Sequence, residues 1–406
     1  MALDPERMKK RRQQRAAQRE KQQVQRKKLM QKLMIAGGVL LLALIVIIVI
    51  AASSGSSSQK TQDELTVVHV AAAGDLNITD KVVEAGGAEM DYTELFMDVA
   101  HLLTDADVSV VNLEGVVCGD PYGDSKSTPL SLLQSLSEAG VDLVQLANSY
   151  SIYKGVSGLN TTIDNVRAVG LEPVGVYKTA GEYERSGGFT LCEVKGVKIA
   201  FVAFTKGMDG MALPEGSGKC VNVLYTDYES TYQKVNREGI NQVLREVREE
   251  NPDVVIALLH WGSEFNDTIS GSQKDILELM QSNGVDVVLG THSHYVQQIV
   301  HDKERNKFVA YSLGDFISGN LRSGSEYSIV LNLEITKNET TGKTTITDYT
   351  CTPIYTVAEE GKPMRIMRIR ETMAAYEGGY VNRVSEATYQ GMAYALERID
   401  ARIKGE

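Results

Sequence analysis

The chain has 406 residues, which is enough for one large domain or two ordinary ones. Residues 1–32 hold twelve Lys and Arg against three Asp and Glu, whereas the whole chain has a net charge of −11, so the remainder carries −20. This excess of acid argues against a nucleic-acid partner, because like charges repel at long range. None of the four cysteines forms a CxxC pair, which argues against a structural zinc knuckle.

The N-terminal region has the composition of a membrane anchor. Residues 33–52 contain no charge, and as a helix they would span the apolar core of a bilayer, about 30 Å thick. We predict one transmembrane helix here, with the basic residues 1–32 as a cytoplasmic tail near anionic lipid and the main domain outside the cell. The alternative is a cleaved signal peptide. Its apolar region would be shorter, about 7–15 residues, although Ala51-Ala52-Ser53 leaves cleavage open.

Hydrophobic patterning divides the rest of the chain into a linker over residues 53–64, a domain over 65–360 and a helical extension over 361–406. The predicted strands are Leu65–Ala73, Asp107–Asn112, Val141–Ala147, Glu172–Val176, Val197–Phe204, Val254–Leu259, Val285–Leu289, Phe308–Leu313, Glu326–Glu334 and 343–355. The predicted helices are Leu130–Ala139, Gly158–Val169, Ser230–Glu249, Ser272–Ser282 and the tail from Arg368. This alternation predicts an α/β fold with a mixed sheet or two stacked sheets.

Three of the six histidines follow predicted strands. His260 follows Val254–Leu259, and His292 and His294 follow Val285–Leu289. In open α/β sheets, ligands bind at the carboxyl ends of the strands. Alternate residues of an extended chain point the same way, so both rings of the His292–His294 pair could reach one ion. Because neutral imidazole is a common metal ligand, this pattern indicates a divalent metal.

Oxygen-bearing side chains follow the first three strands in the same way. Asp75 follows the first strand, Glu114 the second and Asn148 the third. Two carboxylates with three imidazoles form a mixed set that suits one or two ions of Mn, Fe or Zn. A bridging carboxylate could hold two ions about 3.5–4 Å apart. Each oxygen residue also has an ordinary interpretation, as a turn, a cap or a solvated loop residue.

Six motifs occur in the order typical of one known family. They are Gly74-Asp75, Asn112-Leu113-Glu114-Gly115, Ala147-Asn148, His260-Trp261-Gly262-Ser263-Glu264, Gly290-Thr291-His292-Ser293-His294 and Tyr311-Ser312-Leu313-Gly314-Asp315-Phe316. Over about residues 65–319 the chain resembles the CapA/PgsA-type capsule and poly-γ-glutamate synthesis proteins. The resemblance implies a calcineurin-type metallophosphatase fold, a four-layer α/β/β/α sandwich, here preceded by the transmembrane helix. It also implies five metal ligands, namely Asp75, Glu114, His260, His292 and His294.

The resemblance further implies a place outside the cell, in machinery that makes, exports or tethers an anionic polymer. Its expected partners are polymer synthase or export membrane proteins, with an anionic polymer or a phosphoester as substrate.

The third motif departs from the family pattern, which usually reads Asn-Asn-His. Here the residues are Asn148-Ser149-Tyr150. In the family the second Asn would bind the second ion and the His would be the general acid. Ser149 is a poor neutral metal ligand, and Tyr150, with an ordinary pKa near 10, is badly matched to neutral pH. Asp315 replaces a common Asn and is either an added oxygen ligand or a loop charge.

Two functions therefore stay open. In the first, the chain is a metal-dependent hydrolase or transferase that acts on a phosphoester or a γ-linked glutamyl polymer, with Tyr150 and Asn148 as candidate catalytic residues. In the second, it is a catalytically degenerate binding or assembly subunit of a polymer synthase complex. The second hypothesis arises because losing a general acid typically costs roughly 10²–10⁴ in rate.

Overall fold

The computed structural model describes residues 64–319 and 322–406. Within that range, Leu65–Glu406 forms one compact unit. The predicted tail at 1–32, the transmembrane helix at 33–52 and almost all of the linker lie outside the described residues. Among the residues that are described, no helix is both long enough and apolar enough to cross a membrane.

Strands and helices alternate through the first two thirds of this unit. The strands are β1 (Leu65–Leu76), β2 (Val108–Leu113), β3 (Leu143–Gln145), β4 (Glu172–Val174), β5 (Thr190–Val194), β6 (Val197–Thr205), β7 (Val254–His260), β8 (Val287–Thr291), β9 (Ile299–Asp302), β10 (Lys307–Ala310), β11 (Asp315–Ile317), β12 (Tyr327–Asn338), β13 (Thr344–Val357) and β14 (Arg365–Arg368). The helices are α1 (Asp80–Glu84), α2 (Thr93–Phe96), α3 (Ala100–Thr104), α4 (Leu130–Glu138), α5 (Gly155–Ala168), α6 (Ala180–Ser186), α7 (Arg237–Glu249), α8 (Gly271–Ser282), α9 (Ile369–Glu377) and α10 (Glu386–Lys404).

The strands form two mixed sheets. In the first sheet the order is β14-β13-β12-β1-β2-β3-β4, with β11 beside the end of β1. Strands β1 to β4 run parallel, and β12 to β14 continue the sheet antiparallel. In the second sheet the order is β5-β6-β7-β8-β10-β9, and its four central strands are parallel. The carboxyl ends of parallel strands are therefore available at an edge of each sheet.

The two sheets pack as an α/β sandwich. On the outer face of the second sheet, apolar residues of α7 and α8 form a buried core with Val202, Phe204, Ala257 and Leu259 of β6 and β7. On its inner face, the ring of Phe308 in β10 packs edge to face on Tyr349 of the first sheet, with ring centroids 5.1 Å apart. His301 of β9 also contacts the carbonyl of Ile346 in the first sheet at 3.1 Å. The predicted α/β class is confirmed.

Many predicted boundaries shift by a few residues, and two predictions differ from the structure by more. The helix predicted over Ser230–Glu249 begins only at Arg237. The residues before it form a turn around Asp227, whose carboxylate accepts hydrogen bonds from the backbone of Gln233 and Lys234, and Asn236 then caps α7. Strand β14 lies inside the range predicted as a helical extension and pairs with β13. Such a short edge strand carries too few residues to show a period.

A close backbone approach joins β1 to the loop before β11. The N–H of Asp75 donates to the carbonyl of Gly314 at 3.0 Å. A Cβ on Gly74 would lie only 1.7 Å from that same carbonyl oxygen. Only glycine fits here, because any side chain would push the two segments apart. The contact fixes the position of the Asp75 side chain.

We predict that Gly74→Ala lowers the free energy of unfolding by about 3 kcal/mol, since the added methyl must displace backbone. The control is Gly271→Ala at the start of α8, where a Cβ would meet nothing within 4 Å. That variant should be at least as stable as wild type, because Ala favours a helix over Gly by about 1 kcal/mol. Denaturant titration measures both values, and equal stabilities would contradict the close contact at Gly74.

Candidate metal centre

The structure brings the five predicted ligands together where the two sheets meet. Asp75 and Glu114 come from the ends of β1 and β2 in the first sheet, and His260, His292 and His294 follow β7 and β8 in the second. All five side chains are buried. Several contacts join the sheets here, among them the hydrogen bond from the N–H of His292 to Asp75 Oδ2 at 2.9 Å and the approach of His260 Nε2 to Glu114 Oε1 at 3.1 Å.

The ligand atoms fall into two neighbouring groups. The first group is Glu114, His260 and His292, the second is Asp75, His294 and Asp315, and within each group the atoms lie within 4.8 Å of one another. His294 links the groups, since its Nε2 is 3.8 Å from Glu114 Oε2. We call these six residues the ligand cluster. Each group combines imidazole with carboxylate, a donor set that suits Mn, Fe or Zn.

Asp315 belongs to the cluster and is not simply a loop charge. It is buried, and its Oδ1 lies 2.8 Å from His294 Nδ1. Strand β11 brings it into position by pairing with the end of β1, where Asp75 and Asp315 are register partners. Of the two sequence interpretations of Asp315, the geometry fits that of an added oxygen ligand.

His292 and His294 fall into different groups of the ligand cluster, and their ring centroids are 6.5 Å apart. Their φ angles are 91° and 59°, in the left-handed region that residues with a side chain rarely adopt. The chain turns at both positions, so His292 enters the first group and His294 the second. Strained backbone of this kind persists where the surroundings enforce it, and such places are often functional.

A divalent metal fits this donor set. Nδ1 of His292 is buried and has no hydrogen-bond partner among the residues that the structure describes. Burial, followed by the nearby His260 and Lys206, holds the pKa of His292 well below its usual range. The ring is therefore neutral and can offer a nitrogen to a metal. Leaving such a nitrogen buried without a partner is costly, and a bound ion would remove that cost.

Burial disfavours the ionised form of two of the three carboxylates in the cluster. Burial and the charge of Glu114 raise the pKa of Asp75 well above its usual range. Burial likewise raises the pKa of Asp315 to about 6, against the opposing effect of His294. Burial disfavours ionisation of Glu114 too, but His294 and His260 outweigh it and lower its pKa. A divalent cation would stabilise all three carboxylates in their charged forms.

Asn112 is a site residue that the sequence interpretation did not single out. Its Nδ2 donates to Asp75 Oδ1 at 2.5 Å, and its Oδ1 accepts from Asn148 Nδ2 at 3.1 Å. It lies two residues before Glu114, so strand alternation places both side chains on the same face. This spacing of two residues from Glu114 could have identified Asn112 in the sequence. Asn112 is a positioning residue for Asp75.

The Asn148-Ser149-Tyr150 segment closes one side of the cluster. Nδ2 of Asn148 also donates to the carbonyl of Leu113 at 2.5 Å, and its Oδ1 accepts from the N–H of Tyr150 at 3.0 Å. These bonds make Asn148 a positioning residue. Ser149 is buried, and its Oγ lies 3.0 Å from His260 Nε2. Burial and the charge of Glu114 raise the pKa of Tyr150, so its phenol stays protonated at neutral pH.

The sequence of residues 69–320 matches the family described as bacterial capsule synthesis protein PGA_cap. The chain belongs to this family. The match begins inside β1 and ends just after β11, so it includes every residue of the ligand cluster.

Two relatives carry related names. The capsule biosynthesis protein CapA of Bacillus anthracis is 26% identical over 188 residues, which are 46% of this chain and 42% of that protein. The PGA biosynthesis protein CapA of Bacillus subtilis is 22% identical over 284 residues, which are 68% of this chain and 69% of that protein. The chain thus spans less than half of the first relative.

Among solved structures, one similar chain is the calcineurin-like phosphoesterase YfkN of Bacillus subtilis. The alignment covers 82% of this chain and 99% of the YfkN chain. The identity is 15% and the TM-score is 0.45. At this level the likeness says nothing about the chemistry of the ligand cluster.

We predict that Asn112→Ala lowers metal affinity about 10–100-fold, because Asp75 and Asn148 both lose the amide that orients them. The control is Asn222→Ala, which removes another buried amide, one that donates to the carbonyl of Gly188 at 2.9 Å. That variant should lose stability but keep its metal affinity. Competition titration against a chelator measures both affinities, and equal losses would show that Asn112 has no specific role.

Proposed function

We propose that this protein is a membrane-anchored, extracellular component of capsule or poly-γ-glutamate synthesis or export, and that it is a metal-dependent hydrolase. Family membership and the uncharged stretch at residues 33–52 support the setting. The hydrolase assignment depends on one observation: six buried ligands from both sheets form two adjacent groups of nitrogen and oxygen donors. The expected partners are synthase or export proteins of the same membrane.

The protein's own residues would have separate tasks in this reaction. When bound, divalent ions supply Lewis-acid charge and lower the pKa of water. The ligand cluster would hold the ions, while Asn112 and Asn148 keep Asp75 and the Tyr150 segment in place. The phenol of Tyr150 is the group that could give a proton to the leaving oxygen. Its raised pKa makes that transfer slow.

One observation favours a second candidate function, that of a binding or assembly subunit with a metal of structural role. The residue in the position of the general acid is Tyr150, and Ser149 takes the position of a family ligand. A phenol of raised pKa and a neutral hydroxyl support rapid hydrolysis poorly.

The first experiment measures metal content and hydrolysis of a model phosphoester by the purified full-length protein. We expect one or two ions of Mn, Fe or Zn for each chain. His292→Ala should remove at least one ion and reduce hydrolysis about 100-fold or more. The control is His301→Ala, which alters a half-buried histidine outside the cluster. If His292→Ala changed neither metal content nor hydrolysis, the proposal of a metal-dependent hydrolase would fail.

The second experiment separates the two candidate functions. Tyr150→His restores a proton donor with an ordinary pKa near 6.5, so we expect hydrolysis to increase about 100-fold. Tyr153→His is the control, because its ring packs on Tyr150 at 5.9 Å but belongs to the next turn of the loop. A Tyr150→His variant that kept its metal but gained no activity would favour the assembly subunit.

A further inference from the structure

Three basic side chains near the ligand cluster each lie over an aromatic ring. The pairs, with the distance from the cationic group to the ring centroid, are Lys126 and Tyr150 at 4.6 Å, Lys206 and Tyr232 at 4.7 Å, and Arg322 and Phe265 at 4.7 Å. We call Lys126, Lys206 and Arg322 the rim cations. Lys126 and Lys206 are half-buried and Arg322 is exposed, so all three can meet a ligand from solvent.

Lys126 lies beside the first-sheet part of the cluster. Its carbonyl accepts a hydrogen bond from the N–H of Val116 at 2.8 Å, two residues after Glu114. Its positive charge is close enough to contribute to the lowered pKa of Glu114. The lysine therefore lies on the side of the cluster formed by the end of β2.

Lys206 lies beside the second-sheet part. Its N–H donates to the carbonyl of His260 at 2.8 Å. Its Nζ donates to the carbonyl of Gly262 at 2.7 Å, so the charged group is held over the loop that follows His260. It is also one of the charges that lower the pKa values of His260 and His292.

Arg322 contacts the cluster indirectly, through the ring of Phe265. The ring of Phe265, under the Arg322 guanidinium, stacks on His294 with centroids 4.9 Å apart. Arg322 belongs to the segment between β11 and β12, whereas Lys126 follows β2 and Lys206 follows β6. The rim cations thus come from three separate segments around one cluster.

The rim cations have no carboxylate partner within 4.0 Å among the residues described. The charge of Glu264 acts to raise the pKa values of Lys206 and Tyr150, without an ion pair to either. The charge of Asp209 acts to raise the pKa values of Tyr150 and Tyr232. Other described cations, such as Lys219, also lack an ion pair, so the rim cations are distinguished by their position beside the ligand cluster. Their charges are available to an anionic ligand.

We propose that Lys126, Lys206 and Arg322 bind the carboxylates of a linear polyanion on either side of the bond that it presents to the ligand cluster. The aromatic rings hold the cations in place through cation–π contacts. Positive groups that come from three separate segments beside the cluster fit a ligand whose anionic groups are spaced along a chain. The choice of a polycarboxylate rests on the proposed function, but the binding itself does not.

The test measures binding of a fluorescent γ-linked glutamate decamer to the full-length protein by anisotropy at low salt. The Lys126→Gln/Arg322→Gln variant should bind about tenfold more weakly, since each exposed ionic contact contributes up to about 1 kcal/mol. Lys219→Gln is the matched control, because Lys219 also lies over a ring, that of Tyr183, at 4.6 Å, but bonds to Gln242 of α7. Its affinity should stay within twofold of wild type. Lys126→Arg keeps the charge and should keep the affinity.

Each other outcome overturns the inference. Unchanged affinity in the double variant would show that the rim cations do not touch the polymer. An equal loss of affinity in Lys219→Gln would show that the effect depends only on the net charge of the protein. Tighter binding of a polyphosphate of the same charge would overturn the assignment of a polycarboxylate. Metal content is measured on the same samples, so a failure of the metal site is recorded separately from a failure of the rim.

Discussion

The site depends on one hydrogen bond between the two sheets, from the N–H of His292 to Asp75 Oδ2 at 2.9 Å. Asp75 is held by the close approach of Gly74 to Gly314 and by the amide of Asn112. His292 is held in a left-handed conformation directly after β8. Because each sheet supplies only part of the donor set, neither sheet alone could bind the metal. The ligand cluster therefore forms only where the two sheets pack together.

The cluster also imposes an electrostatic constraint. Asp75, Glu114 and Asp315 are buried together, and His294 is the neighbouring group whose pKa is raised well above its usual range by Asp315 and Glu114, against the effect of burial. Burial and the neighbouring carboxylates raise the pKa values of Asp75 and Asp315, which disfavours their ionised forms. A divalent cation bound at the cluster would favour the ionised forms of these carboxylates. The rim cations extend the same principle to the surface, since they place positive charge beside the cluster in an otherwise acidic chain.

The physics of parallel sheets explains which parts of this site could be predicted from the sequence. Asp75, Glu114 and His260 lie at strand ends, and strand ends are visible as the boundaries of apolar runs. The division of His292 and His294 between two groups could not be predicted, because it depends on φ angles that no hydrophobic period encodes. The place of Asp315 in the cluster could not be predicted either, because it depends on the pairing of β11 with β1, a contact between residues 240 positions apart. The position of the rim cations beside the cluster could not be predicted from the sequence either, since their neighbours come from distant segments.

If the two groups of ligands bind divalent ions at adjacent positions, anomalous diffraction from crystals of the manganese-loaded protein will locate the ions. We expect two peaks, one bounded by Glu114, His260 and His292 and the other by Asp75, His294 and Asp315. A map without a peak at either position, from crystals in which these six side chains are ordered, would contradict this expectation.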